Sequence, residues 1–242
     1  METSIQFEEM KEFKEGIKAG IPIFLGYFPI SLTFGLIAKN CGLSGYLAIV
    51  MAFTNFTGAA QFVGVNMFAQ GVGLSNIVLT TIMINARYLL MSFCVANKLK
   101  GSVSTKIRAL LAFGITDEVF VVSMTREDLK TSFILGTQLI SHIGWVTGTM
   151  AGVLLANVLP KSISQSIGIA IYIMFLGLLL PAVRSSMKIA IVTVIAMIIS
   201  SILYWIPMLN KVIGNWRIII TIVIASLIGA IFLPMKAGDD IE

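Results

Sequence analysis

Charge is missing from most of this chain in long unbroken runs, and that absence decides which solvent the chain folds in. No Asp, Glu, Lys or Arg occurs in Ala19–Ala38, Asn40–Ala86, Thr131–Pro160, Ser162–Val183, Ile189–Asn210 or Ile218–Met235. A helix needs about 20 apolar residues to cross about 30 Å of hydrocarbon. Each run is long enough for one span, and Asn40–Ala86 is long enough for two around Gln70-Gly71-Val72-Gly73. Charged residues make up 12% of the chain and hydrophobic ones 57%, where a soluble domain carries about 25% charge. Backbone exposed to lipid must bond to itself, so spans are helices or closed barrels. Barrel strands alternate in units of about 10 residues, whereas these runs are continuous. The sequence therefore predicts an all-α fold, a polytopic integral membrane helical bundle read as a single transmembrane domain over 1–242.

Residues 1–16 hold five glutamates and two lysines. That is the wrong opening for a secretory signal and reads as a polar N-terminal helix. Eight hydrophobic segments follow, at about 17–38, 45–69, 74–96, 107–124, 132–156, 163–182, 188–206 and 216–234. If all eight crossed, the N-terminal lysines would face one side. Lys98, Lys100, Lys106 and Arg108 would face the other. Loops rich in Lys and Arg gather on the cytoplasmic side, so this arrangement is disfavoured. Discontinuous or re-entrant helices remove the conflict. One of the first three segments fails to cross simply, and 107–124, which contains Asp117-Glu118, is re-entrant or half-inserted. Gly20, Pro22, Gly26 and Pro29 are candidate helix breaks in the first segment, and Asn55, Thr57 and Gly58 in the second.

Three polar stretches lie inside apolar runs. Asn55, Thr57, Gly58 and Gln61 combine small residues with amide donors and acceptors. They fit either interhelical hydrogen bonds or a break that lines a substrate path. Asn85, Arg87 and Tyr88 lie well inside 74–96. A mid-span arginine costs at least about 2.5–3.5 kcal/mol to insert. It therefore snorkels, takes a carboxylate partner or binds a ligand carboxylate with its planar fork. Thr116, Asp117 and Glu118 form the third stretch. Neighbouring helical residues point about 100° apart, so one carboxylate can meet Arg87 while the other lines a polar cavity. Such a pair serves a structural role, a proton-carrying role, or both.

Other features read as structural. His142 fits a satisfied polar residue better than a site. Gly136, Gly144, Gly148 and Gly152 recur at multiples of four and make a smooth packing stripe, inside the bundle or towards a second subunit. Tyr204, Trp205 and Trp216 suit interfacial anchors. Cys41 and Cys94 have no metal-type spacing. Phosphate loops, HExxH and nucleophile elbows do not occur, so the chain reads as a non-enzyme with no metal and no cofactor. The net charge of +5 comes mostly from short loops, which suits a membrane protein rather than nucleic-acid binding.

Several stretches resemble the AzlC type of branched-chain amino-acid exporter, the azaleucine-resistance family. They are Gly20-Ile21-Pro22, Phe34-Gly35-Leu36-Ile37-Ala38, Gly42-Leu43-Ser44, Thr57-Gly58-Ala59-Ala60-Gln61-Phe62, Asn85-Ala86-Arg87-Tyr88 and Phe113-Gly114-Ile115-Thr116-Asp117-Glu118-Val119-Phe120. They span roughly 16–120, and the later half matches mainly in hydropathy. Tyr88 departs from the pattern, which favours histidine there and so weakens a proton relay at that position. The resemblance implies efflux of leucine, isoleucine and valine across the bacterial inner membrane, and a small multi-span partner of the AzlD type. On that reading Arg87 or the N-terminus of a broken helix meets the amino-acid carboxylate, Asp117 or Glu118 its ammonium, and Phe56, Phe62 and Phe120 its side chain. Proton coupling is the expected drive. An uptake permease for other small metabolites and a non-transporting assembly subunit remain alternatives.

Overall fold

The computed structural model describes residues 2–99, 103–158, 176–177, 179–180, 183–208, 213 and 216–233. The described elements are helical: α1 (Glu2–Asn40), α2 (Gly45–Thr54), α3 (Ala59–Ala69), α4 (Leu74–Lys98), α5 (Thr105–Phe113), α6 (Asp117–Met124), α7 (Thr131–Leu155), α8 (Met187–Trp205) and α9 (Arg217–Phe232). A single bridge joins Leu99 and Leu129. The helices Phe7–Asn40, Leu74–Lys98 and Met187–Trp205 are long and apolar enough to cross a membrane. The described chain gathers into two compact units, one from 1–66 and 84–168, the other from 67–83 and 169–242.

The first unit is built on α1 and α7. Their contact is made by glycines, because only a missing Cβ lets two helix backbones come this close. A Cβ at Gly136 would sit 2.2 Å from Phe13 O, at Gly148 2.4 Å from Phe28 O, and at Gly152 2.0 Å from Leu32 O. From the other side, a Cβ at Gly16 would sit 2.0 Å from Phe133 O and at Gly35 2.3 Å from Thr149 O. Gly144 meets Phe24 in the same way, at 2.9–3.0 Å. Contacts advance together along both helices, so α1 and α7 run parallel. The stripe thus packs within the unit.

The breaks expected at Gly20, Pro22, Gly26 and Pro29 do not occur, since α1 is one helix of 39 residues with both prolines inside it. Each proline removes one backbone donor. The bonds lost are those to Lys18 O and Leu25 O. Thr33 Oγ1 bonds back within α1 to Pro29 O at 3.0 Å, while Thr137 Oγ1 donates to Gly16 O at 3.0 Å and Ser31 Oγ to Gly144 O at 3.3 Å, tying α1 to α7. Gly20 is used for packing, with Thr137 O 2.9 Å from where its Cβ would lie. α7 splints α1 along most of its length, and the helix continues.

Charge fixes one end of this pair. Arg126 Nη2 binds Glu12 at 2.9 Å and Glu15 at 3.2 Å, and Lys130 Nζ binds Glu8 at 2.5 Å and Glu12 at 3.4 Å. The hydrogen bond to Glu8 holds the Lys130 ammonium pKa above its ordinary value. The polar start of α1 is therefore anchored to the segment between α6 and α7. In the second unit α8 packs against α9, with Val192 Cγ2 3.0 Å from where a Cβ of Gly229 would lie. The Arg217 guanidinium lies 4.8 Å above the Tyr204 ring. The hydrophobic segment 163–182 lies almost wholly outside the described residues.

Glycine substitutions should separate packing from propensity. Gly148→Leu should destabilise the protein by about 1–3 kcal/mol or more through overpacking. Gly26→Ala, with nothing within 4 Å of its Cβ position, should stabilise it by about 0.5–1 kcal/mol. Thermal unfolding of the two purified variants in one detergent checks both signs.

Candidate functional site

Two of the apolar segments turn back halfway. α2 descends along α7 from Gly45, beside Val153, to Ala52, whose carbonyl lies 3.4 Å from His142 Nε2. The chain breaks over Asn55–Gly58, where Gly58 takes φ +47°, a conformation that favours glycine. α3 then climbs back. Phe56 lies against Tyr27 and Trp145, with ring centroids 5.7 and 6.4 Å away, and Phe62 lies 5.4 Å from Phe34. Gln61 Nε2 bonds Met51 O at 2.9 Å across the turn. This is a re-entrant hairpin entering from the end of α1 remote from its glutamates.

α5 and α6 form a second hairpin from the opposite end. α5 rises until Leu111 O accepts from Gln138 Nε2 at 2.7 Å. The chain breaks over Gly114–Thr116, and α6 leads back down. Met124 O accepts from Lys98 Nζ at 2.6 Å, and Arg126 reaches Glu12 and Glu15. Because 105–124 does not cross, Lys98, Lys106, Arg108, Arg126 and Lys130 lie at the same end as the lysines of the α1 start. These basic residues therefore sit on one side, as the charge argument requires.

The two breaks meet at α1 and α4. Arg87 lies about 20 Å from the first residue of α4 and about 16 Å from its last, at 1.5 Å per residue. Its Nη1 is 2.5 Å from Asp117 Oδ2. Its Nη2 donates to Tyr88 OH at 3.4 Å, and its guanidinium carbon lies 5.0 Å over the Tyr88 ring. Tyr88 OH donates to Thr57 O at 3.2 Å, in the first break. The Arg87 and Asp117 side chains are 41% and 37% exposed, so the pair remains reachable by a ligand.

Glu118 takes a different partner. Tyr27 OH bonds Glu118 Oε2 and lies 2.7 Å from Thr116 Oγ1, which also caps α6 by accepting from Val119 N. A phenol has one proton, so donation to Glu118 leaves its oxygen to accept from the Thr116 hydroxyl. Asp117 and Glu118 are thus split, one held by a cation and the other by a hydroxyl.

A cavity of about 310 Å³ is lined by Phe13, Phe56, Leu110, Phe113, Gly114, Leu135, Gln138, Leu139 and His142, without Arg87, Asp117 or Glu118 in its wall. Phe56 and Gly114 come from the two breaks. The wall is apolar apart from Gln138 and His142.

The remaining singled-out residues divide. Thr57 Oγ1 donates to Asn55 Oδ1 at 2.9 Å, a bond internal to the first break. Gln61 is fully buried and braces that hairpin. Asn85 Oδ1 is buried with no hydrogen-bond partner. Phe62 packs on Phe34 away from the cavity, and Phe120 does not line it. Tyr27 is the residue sequence reasoning missed. Its signal was available, as it is the sole tyrosine in the charge-free run of α1, and a buried phenol requires a partner.

Removing one charge of the pair should be worse than removing both. Arg87→Gln alone should lower the yield of monodisperse protein, because Asp117 then lacks its cation. Arg87→Gln with Asp117→Asn should recover most of that yield. Size-exclusion profiles of the single and double variants decide it, and a double variant no better than the single contradicts the pairing.

The AzlC protein family model matches residues 22–159. A membrane protein of Archaeoglobus fulgidus is 33% identical over 174 residues, covering 71% of this chain and 76% of that one. The inner membrane protein YgaZ of Escherichia coli is 27% identical over 187 residues, covering 74% and 76%. The branched-chain amino acid transport protein AzlC of Bacillus subtilis is 29% identical over 144 residues, covering 58% and 56%. No solved structure gives a significant match. The match spans α1 through α7, the helices that carry both hairpins and the Arg87–Asp117 pair, and the chain belongs to the AzlC family.

Proposed function

We propose that this chain is a secondary transporter that exports branched-chain amino acids across the bacterial inner membrane. It is coupled to protons and works with a small AzlD-type membrane subunit. The observation that carries this reading is the meeting of two oppositely directed hairpins at the Arg87–Asp117 pair, whose breaks also lend Phe56 and Gly114 to the wall of an apolar cavity. Broken helices that meet between the membrane faces suit a substrate that must be reached from both sides. The named activity of the Bacillus subtilis relative supports the substrate class.

The chemistry follows from charge matching. An amino acid is a zwitterion with an apolar side chain. Its carboxylate can take the fork of Arg87 while its ammonium takes Asp117, so the substrate replaces one ion pair by two. No net charge is left uncompensated. Phe56 and Phe113 line the space for a branched aliphatic side chain. A more polar side chain would lose its hydration against that wall.

Glu118 is the proton carrier in this reading. It faces the Tyr27 hydroxyl, and its protonation does not break the Arg87–Asp117 pair. Asp117 belongs to the substrate step and Glu118 to the coupling step.

Counterflow of labelled leucine in proteoliposomes, with and without the small subunit and with an imposed pH step, tests the reading. Arg87→Ala should abolish exchange. Glu118→Gln should keep counterflow but lose the response to the pH step, whereas Asp117→Asn should weaken both. An Arg87→Ala protein that inserts normally and moves leucine at the wild-type rate would show that the site is elsewhere. A Glu118→Gln protein that still follows the pH step would remove Glu118 from coupling.

A further inference from the structure

Along the chain, α1–α3 and α4–α6 repeat the same order. A long helix is followed by a serine, a short helix, a break containing threonine and a second short helix. The two copies align at an offset of 60 residues. Ser44 precedes α2 at φ −64°, ψ 142°, and Ser104 precedes α5 at φ −62°, ψ 151°. Met51 O accepts a glutamine amide at 2.9 Å, and Leu111 O accepts another at 2.7 Å. The Phe53 and Phe113 rings lie 5.7 and 5.6 Å from the same His142 ring. Tyr27 and Arg87 hold the same position on their long helices. Beyond Phe53 and Phe113 the offset falls to 58 by the start of α3 and α6, because α2 and the first break are each one residue longer.

The copies point in opposite directions. α1 leads away from its glutamates and α4 leads back towards them, and each hairpin enters from the end at which its own long helix finishes. Each long helix also bonds the hairpin of the other copy. Tyr27 on α1 holds Thr116 and Glu118 at the second break, and Tyr88 on α4 holds Thr57 at the first.

From this we infer that α1–α3 and α4–α6 are inverted copies of one unit, and that Tyr27 and Tyr88 are opposed positioning residues. Each latches the hairpin of the other copy in its central position. Two inverted gates held by separate latches give a pathway that opens to either side in turn. Tyr27 governs the gate on the basic side, and Tyr88 the gate on the far side. Tyr27 acts on the Thr116 cap and on Glu118, and Tyr88 on the Thr57 carbonyl, so neither needs to touch substrate. The inference deepens the transporter reading. Gate opening is read without substrate flux, so failure of the latches and failure of export are separate results.

The test places a reporter cysteine at equivalent positions, Phe53→Cys or Phe113→Cys, in protein with Cys41 and Cys94 replaced by serine. A membrane-impermeant maleimide is applied to vesicles of either orientation, and labelling is normalised to inserted protein. Tyr27→Phe removes two hydrogen bonds and should raise labelling of Phe113→Cys from the basic side by at least about fivefold, the effect of losing one, and leave Phe53→Cys unchanged. Tyr88→Phe should do the reverse from the far side. Thr116→Val should reproduce the Tyr27→Phe pattern and Thr116→Ser should not, which separates loss of the latch from loss of the fold. Increases on the same side in both tyrosine variants, increases on both sides in either, or no change in both would overturn the proposal.

Discussion

Four helix ends stop partway across the apolar span of this chain, and hydrocarbon cannot satisfy the backbone groups they leave open. The rest of the first unit follows from how those ends are served. Gln61 and Gln138 add a second donor to Met51 O and Leu111 O, which accept from Asn55 N and Gly114 N at the ends of α2 and α5, and His142 Nε2 lies 3.4 Å from Ala52 O. Thr116 caps α6, and Gly58 supplies the turn into α3. His142, Trp145 and Tyr27, on the α1–α7 pair, pack around both breaks. That pair can hold two half-inserted hairpins because its glycine contact is rigid and runs along most of both helices.

The same constraint explains why charge is tolerated at the centre. A lone arginine or carboxylate there would be costly, yet a matched pair on two different helices fixes the hairpin tip to the scaffold. Its partial exposure tempers its value for stability, since exposed pairs contribute little. Its better use is as a pair that a zwitterion can enter, with the second carboxylate held apart on Tyr27.

Much of this was legible in the sequence, and the failures have physical causes. Long continuous runs without charge give the helical membrane class, because only helices and closed barrels satisfy backbone in lipid and barrel strands alternate. The break at 55–58 shows because glycine, amides and a hydroxyl interrupt an apolar run. The conflict of basic loops pointed to a re-entrant 107–124, where the structure places the second hairpin. The breaks expected in α1 do not form because, although proline and glycine disrupt a helix in water, here α7 packs along α1 and the helix continues. The partner of the glycine stripe was open because α1 and α7 are more than 100 residues apart and periodicity holds no information on register. Tyr27 was passed over because one hydroxyl barely alters a hydropathy pattern.

The account rests on the second hairpin entering and leaving on one side. Single cysteines at Leu43, Ser104 and Glu127, probed with an impermeant reagent from each face, test that directly. Ser104 and Glu127 should label from the same face as the N-terminal segment, and Leu43 from the opposite face. Labelling of Ser104 and Glu127 from opposite faces would make 105–124 a crossing and contradict the structure of the site.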